Sequence, residues 1–274
     1  MIRFVFAALA AALAALPARA VEIQEVTSPG GIHAWLVEEH SIPFTALEVR
    51  FEGGTSLDAP GKRGATLLMM ALLEEGSGPL DSQGFAAARE SLAASFEFDA
   101  YDDAATVSAR MLTENRDEAA ALLKQALTDP HFDADAIDRV KGQVASIIGS
   151  NDKDPVEIAT RAFDGLAFGA HPYGSSRFGT LDSLAALTRE DLVAAKAAVL
   201  ARDRLYVAAV GDITAEELGK MLDDLFGGLP ETGAPMPPRA EMGLSGGVTI
   251  VDYASPQSVV MFGQAGIRRD DPDF

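Results

Sequence analysis

Hydrophobic and polar residues alternate most clearly in residues 32–38 and 44–52. Both runs carry β-branched or aromatic side chains and are separated by Ser41, Ile42 and Pro43, which predicts two strands. Gly53 and Gly54 end the second. Residues 60–75 then lose the alternation and become a Leu/Met/Ala run between Pro60 and the glycines at 76 and 78, which predicts a helix. A further helix is expected over 82–93, with Ser82 as its N-cap. Residues 95–100 and 104–112 read as a strand pair turning at Asp102 and Asp103. Helices follow over 116–127, 135–148 and 155–168, the last capped by Asp154. A helix over 188–200 starts at Thr188, with Asp191 three residues on as in a capping box. An apolar strand over 205–210 and a helix from Thr214 to Phe226 complete the series. Strands and helices in this order predict an α+β fold rather than regular βαβ winding.

The pattern changes after Leu229. Residues 230–247 hold four prolines and several glycines and read as a linker. Residues 248–253 and 258–263 regain strand character. The expected organisation is therefore an N-terminal domain over 21–229, a linker over 230–247 and the truncated start of a second domain over 248–274. Two strands cannot bury a sheet face alone, so this last part is expected to be incomplete.

The first twenty residues belong to none of these elements. Met1, Ile2 and Arg3 give a basic start, residues 4–16 an apolar run, and Ala18-Arg19-Ala20 an Ala-x-Ala pattern. This predicts a secretory signal peptide over 1–20, cleaved after Ala20, and export across the inner membrane to the periplasm. No later run is apolar enough to span a bilayer. With 41 acidic against 22 basic residues the formal charge is −19, which argues against a nucleic-acid partner. The chain has no cysteine, so disulfides and thiol chemistry are excluded.

Several segments resemble the insulinase/pitrilysin family of zinc metallopeptidases. Gly30-Gly31-Ile32 with Trp35-Leu36-Val37-Glu38 is similar to its opening strand. Gly53-Gly54-Thr55-Ser56-Leu57-Asp58 resembles the glycine turn and acidic residue before its first helix. Asn151-Asp152-Lys153-Asp154-Pro155, His171-Pro172-Tyr173-Gly174 with Gly179, and Val210-Gly211-Asp212 resemble later family signatures. Gln264-Ala265-Gly266-Ile267 resembles the opening of a second homologous domain. Their order and spacing cover nearly the whole chain after residue 20. The resemblance implies a clamshell domain with an antiparallel-rich sheet covered by helices.

The catalytic motif is where the chain departs. The family's H-x-x-E-H would occupy Leu67-Leu68-Met69-Met70-Ala71, placing the two zinc-binding histidines at Leu67 and Ala71 and the water-activating glutamate at Met70. The third ligand would fall at Ile147. The two histidine positions lie four apart because residues at i and i+4 share a helix face. Aliphatic side chains have no lone pair for a metal, and the Met70 thioether takes no proton from water. No catalytic or metal-binding residue is therefore expected in this chain, and no cofactor. A register slip does not restore the site: the histidines are His33, His40, His131 and His171, and no two are four apart. Each reads as a loop or strand-edge residue. Glu74 and Glu75, at the end of the first helix, read as a solvated pair, with a basic group on a partner as the alternative.

The resemblance implies a non-catalytic subunit that pairs with a catalytic H-x-x-E-H subunit, the one carrying zinc, around a chamber admitting unfolded peptides. In such pairs the non-catalytic chain supplies a substrate-holding Arg/Tyr pair from its C-terminal domain, and no residue here can be assigned that role. The alternative is a peptide-binding or scaffold protein with no protease partner, like the core subunits of the respiratory cytochrome bc complex. A hydrolase using other residues has no Ser/His/Asp or Cys/His arrangement to rest on.

Overall fold

The computed structural model describes residues 22–267 and 269–274. The signal-peptide assignment and its cleavage site lie outside the described residues.

Six strands form one sheet in the order β1-β2-β8-β3-β7-β6. They are β1 (Gln24–Thr27), β2 (His33–Glu38), β3 (Phe44–Glu52), β6 (Ser95–Ala100), β7 (Ala104–Leu112) and β8 (Leu205–Gly211). β3 is antiparallel to β7 on one side and to β8 on the other, while β8 runs parallel to β2. The last strand of the chain is thus inserted between the second and third. A two-residue pair, β4 (Gly76–Ser77) and β5 (Leu80–Asp81), stands apart.

The alternation seen in the sequence becomes two faces. Leu47, Val49 and Phe51 of β3, Val107 and Ala109 of β7, and Val207 and Ala209 of β8 are buried on one face. The other face exposes Trp35, Arg50, Tyr206 and Val210. The helices are α1 (Ala65–Ala71), α2 (Ser82–Ser91), α3 (Arg116–Thr128), α4 (Ala134–Asn151), α5 (Pro155–Phe168), α6 (Leu181–Ala185), α7 (Arg189–Val199) and α8 (Ala215–Phe226). Leu218, Met221, Leu222, Leu225 and Phe226 make one apolar stripe on α8. Phe226 meets Phe51 of the sheet edge-on, with centroids 6.3 Å apart.

The capping signals at Asp154, Thr188 and Thr214 are formed. Asp154 accepts from the Val156 and Glu157 N–H groups, and Thr188/Asp191 and Thr214/Glu217 are reciprocal capping boxes. Three expectations need correction. The N-cap of α2 is Asp81, whose carboxylate accepts from the Gly84 N–H; the Ser82 hydroxyl turns instead to Glu75. The first helix is shorter than 60–75. Gly61 and Gly64 take left-handed backbone angles, so regular helix starts only at Ala65, and after Ala71 the chain closes in turns toward Gly76. The short elements β1 and α6 were not foreseen.

The third correction concerns the C-terminal part. Residues 248–253 and 258–263 form no strands, and Val248, Ile250 and Phe262 are at least 85% exposed. A strand needs a neighbour to take its N–H and C=O groups, and neither edge of the sheet receives these segments. The tail runs along α5 instead. The Gly243 N–H donates to Ala167 O at 2.7 Å, and the Tyr253 hydroxyl to Lys153 O at 2.8 Å.

Candidate functional site: an aliphatic metal position

Helix α1 begins where Asp58 caps it from outside. The Asp58 carboxylate accepts from the Gly64 and Thr66 N–H groups and the Thr66 hydroxyl, doing what an N-cap side chain does for orphan donors. Its side chain is only 1% exposed. Burial pushes the Asp58 carboxyl above the ordinary carboxylate range, against the pull of those hydrogen bonds and of nearby Arg63.

From that start, Leu68, Met69 and Met70 turn into the core, and Met70 is 1% exposed. Leu67 and Ala71 share the half-buried face of α1. Helix α4 packs against α1 and carries Ile147 on its surface, 42% exposed. The two helices that would furnish a metal site are thus brought together, but the positions in question carry three hydrocarbon side chains and a core thioether. This donor set does not fit a zinc ion, which takes nitrogen, thiolate and carboxylate ligands. Among the described residues no group of three or more His, Cys, Asp or Glu is arranged to hold a metal.

The histidines are engaged elsewhere. His33 meets the Thr27 hydroxyl at 3.0 Å, and His131 Nε2 lies 2.7 Å from Gly78 O. His40 sits 2.7 Å from Asp212, whose hydrogen bond holds the imidazole pKa above its ordinary value. Glu74 and Glu75 are neither free in solvent nor left for a partner. Arg139 grips Glu75 with two bonds of 2.7 Å, which holds that carboxyl below its ordinary range, and Arg89 pairs with Glu74.

Sequence reasoning missed Arg63. Its guanidinium donates to Thr55 O, to Asp102 at 2.7 Å, to Pro172 O at 3.1 Å, and to both Ser175 O and Ser175 Oγ. One side chain thus ties the approach to α1, the β6–β7 turn and the 171–175 turn. Asp102 and Asp103 do form the hairpin turn, yet they also make specific contacts. Asp103 accepts from the Tyr173 hydroxyl, and burial together with that acidic neighbour pushes the Tyr173 pKa up to about 12. No local signal marks this cluster, because its members lie up to 112 residues from Arg63.

The chain is similar to known proteins over most of its length. Residues 34–181 match the family model described as Insulinase (Peptidase family M16), and residues 186–274 match that of the Peptidase M16 inactive domain. The chain is 26% identical over 263 residues to the non-peptidase homolog YmxG of Helicobacter pylori, covering 96% of this chain and 61% of that protein. It is 23% identical over 252 residues to an uncharacterized zinc protease of Mycobacterium leprae, covering 90% of this chain and 56% of that one. The chain therefore spans a little over half the length of these relatives. Among solved structures, a peptidase M16 inactive domain from Pseudomonas fluorescens superposes with a TM-score of 0.74 at 28% identity, over 79% of this chain and 53% of that one.

Proposed function

We propose that this chain, which belongs to the insulinase family of peptidases (peptidase family M16), is a non-catalytic subunit. In this reading it pairs in the periplasm with a catalytic subunit of the same family to form a peptide-degrading chamber. One observation carries the proposal. The family scaffold is intact around α1 and α4, yet Leu67, Met70, Ala71 and Ile147 offer hydrocarbon or thioether where chemistry needs imidazole and carboxylate. A scaffold kept without its reactive groups suits a role in closing a chamber and holding peptides. The name of the Helicobacter relative, a non-peptidase homolog, points the same way.

Two measurements test the reading. The purified chain, dialysed and analysed for metals, is expected to hold no stoichiometric zinc; about one tight zinc per chain would contradict it. The protein captured from a periplasmic extract is expected to begin at Val21 by intact mass and to bring down an H-x-x-E-H family member. Recovery alone, at natural abundance and with Met1 retained, would sink both the pairing and the export.

A further inference from the structure

A cavity of about 550 Å³ lies where the end of β3, the 171–175 turn and residues 236–240 meet. Arg50 and Arg239 both line it, and neither guanidinium has an acceptor or an aromatic partner among the described residues. Arg63, Arg89, Arg116, Arg139, Arg161, Arg202 and Arg204, by contrast, are each matched to a carboxylate. Arg110, Lys124 and Lys220 also lack an ion pair among the described residues, but Arg50 and Arg239 share one cavity from two sides, in a chain with 41 acidic residues and 22 basic ones.

A second observation is independent of charge. Ser56 lines the same cavity, is 6% exposed, and its hydroxyl has no hydrogen-bond partner among the described residues. An unpaired buried hydroxyl is costly unless a partner arrives. The wall carrying Arg239 is also pinned. His171 Nδ1 accepts from the Tyr173 N–H at 3.2 Å, so Nε2 carries the proton and donates to Pro238 O at 3.0 Å. That bond holds the residue before Arg239 against the folded domain.

We propose that this cavity binds the free C-terminal carboxylate of a peptide, with Arg50 and Arg239 as its cationic contacts. The choice of a peptide over another anion rests on the reading of the chain as a peptide-handling subunit. Two guanidinium groups match a planar carboxylate. Glu52, also without a partner among the described residues, faces the same cavity from β3, and Asp103 lies beside Tyr173. These acids disfavour a dense dianion such as phosphate and offer acceptors to the backbone N–H groups of a chain end. The volume suits a short peptide segment rather than a lone ion.

The test is calorimetric titration of the full chain with tetra-alanine bearing a free or an amidated C-terminus, and separately with inorganic phosphate. Amidation is expected to weaken binding by about tenfold or more, since it removes a charge-assisted contact. Arg50→Gln and Arg239→Gln should each weaken the free peptide by about tenfold, with little change for the amide. Both side chains are exposed, so circular dichroism should show unchanged folding. Equal binding of acid and amide, no binding of either, parental affinity in both variants, or binding of phosphate without tetra-alanine would each overturn the assignment. The titration uses the chain alone, so its failure leaves the subunit pairing standing, and loss of the pairing leaves a positive titration standing.

Discussion

Met70→Glu is expected to destabilise the fold by about 3–5 kcal/mol at neutral pH, because it buries an uncompensated carboxylate. Met70 is 1% exposed among Leu68, Met69, Leu72 and Leu73 of the core. For a chain of this size the loss corresponds to a fall in Tm of about 10 °C, readable by calorimetry. The paired control is Leu67→His, on the half-buried face of the same helix. It should cost about 1 kcal/mol or less, in the range of substitutions outside the close-packed interior. The stability lost in Met70→Glu should partly return as pH falls and the new carboxyl takes up a proton. If Met70→Glu melts with the parent protein, the side chain does not sit in the core as described. Met70, which the resemblance aligns with the family's general base, is part of the hydrophobic interior. Reinstalling ligands at 67, 71 and 147 together with a base at 70 therefore begins with a folding cost before any metal is bound.

Arg63→Ala is expected to cost a similar amount, about 3–5 kcal/mol, for the opposite reason. Here a buried cation is removed and its partners remain. The Arg63 side chain is 14% exposed and Asp58, 3.9 Å away, is 1% exposed. Without Arg63 the carbonyls of Thr55, Pro172 and Ser175 lose their shared donor, and Asp102 its cation. The pH dependence follows from Asp58. Its carboxyl is already raised by burial, so the stability linked to its protonation is fully present below the ordinary Asp pKa and is lost as pH rises through the raised value. Arg63 is one of the forces opposing that rise. Removing it moves the window higher, so the deficit of Arg63→Ala should be largest at neutral pH and should narrow in acid. Denaturant titrations at neutral and acid pH decide the matter. A constant deficit across that range would mean that Arg63 acts through the turns alone and not through Asp58.

Much of this protein was legible without coordinates. Strands 44–52, 95–100 and 104–112 follow from alternation, and the sheet reproduces those limits. The cap at Asp154 and the capping box at Thr188 could be read because the partners lie within one turn of each other. That positions 67, 70, 71 and 147 carry hydrocarbon or thioether side chains is a property of residue identity. Local chemistry at short separation needs only the sequence.

Tertiary structure decided what depends on distant partners. Strand character at 248–253 and 258–263 is a propensity that forms no element here, because no strand among the described residues receives those backbone groups. Glu74 and Glu75 looked like unfavourable charges at a helix end until folding brought Arg89 and Arg139 to them. The insertion of β8 between β2 and β3, the Arg63 cluster and the unmatched pair Arg50 and Arg239 all join residues far apart in sequence. Residue type determined which donor atoms stand at positions 67, 70, 71 and 147, since a side chain carries its donor atoms wherever it goes. Only the fold decided which charges are neutralised and which are left facing a cavity, because the energy of a charge is set by what surrounds it in space.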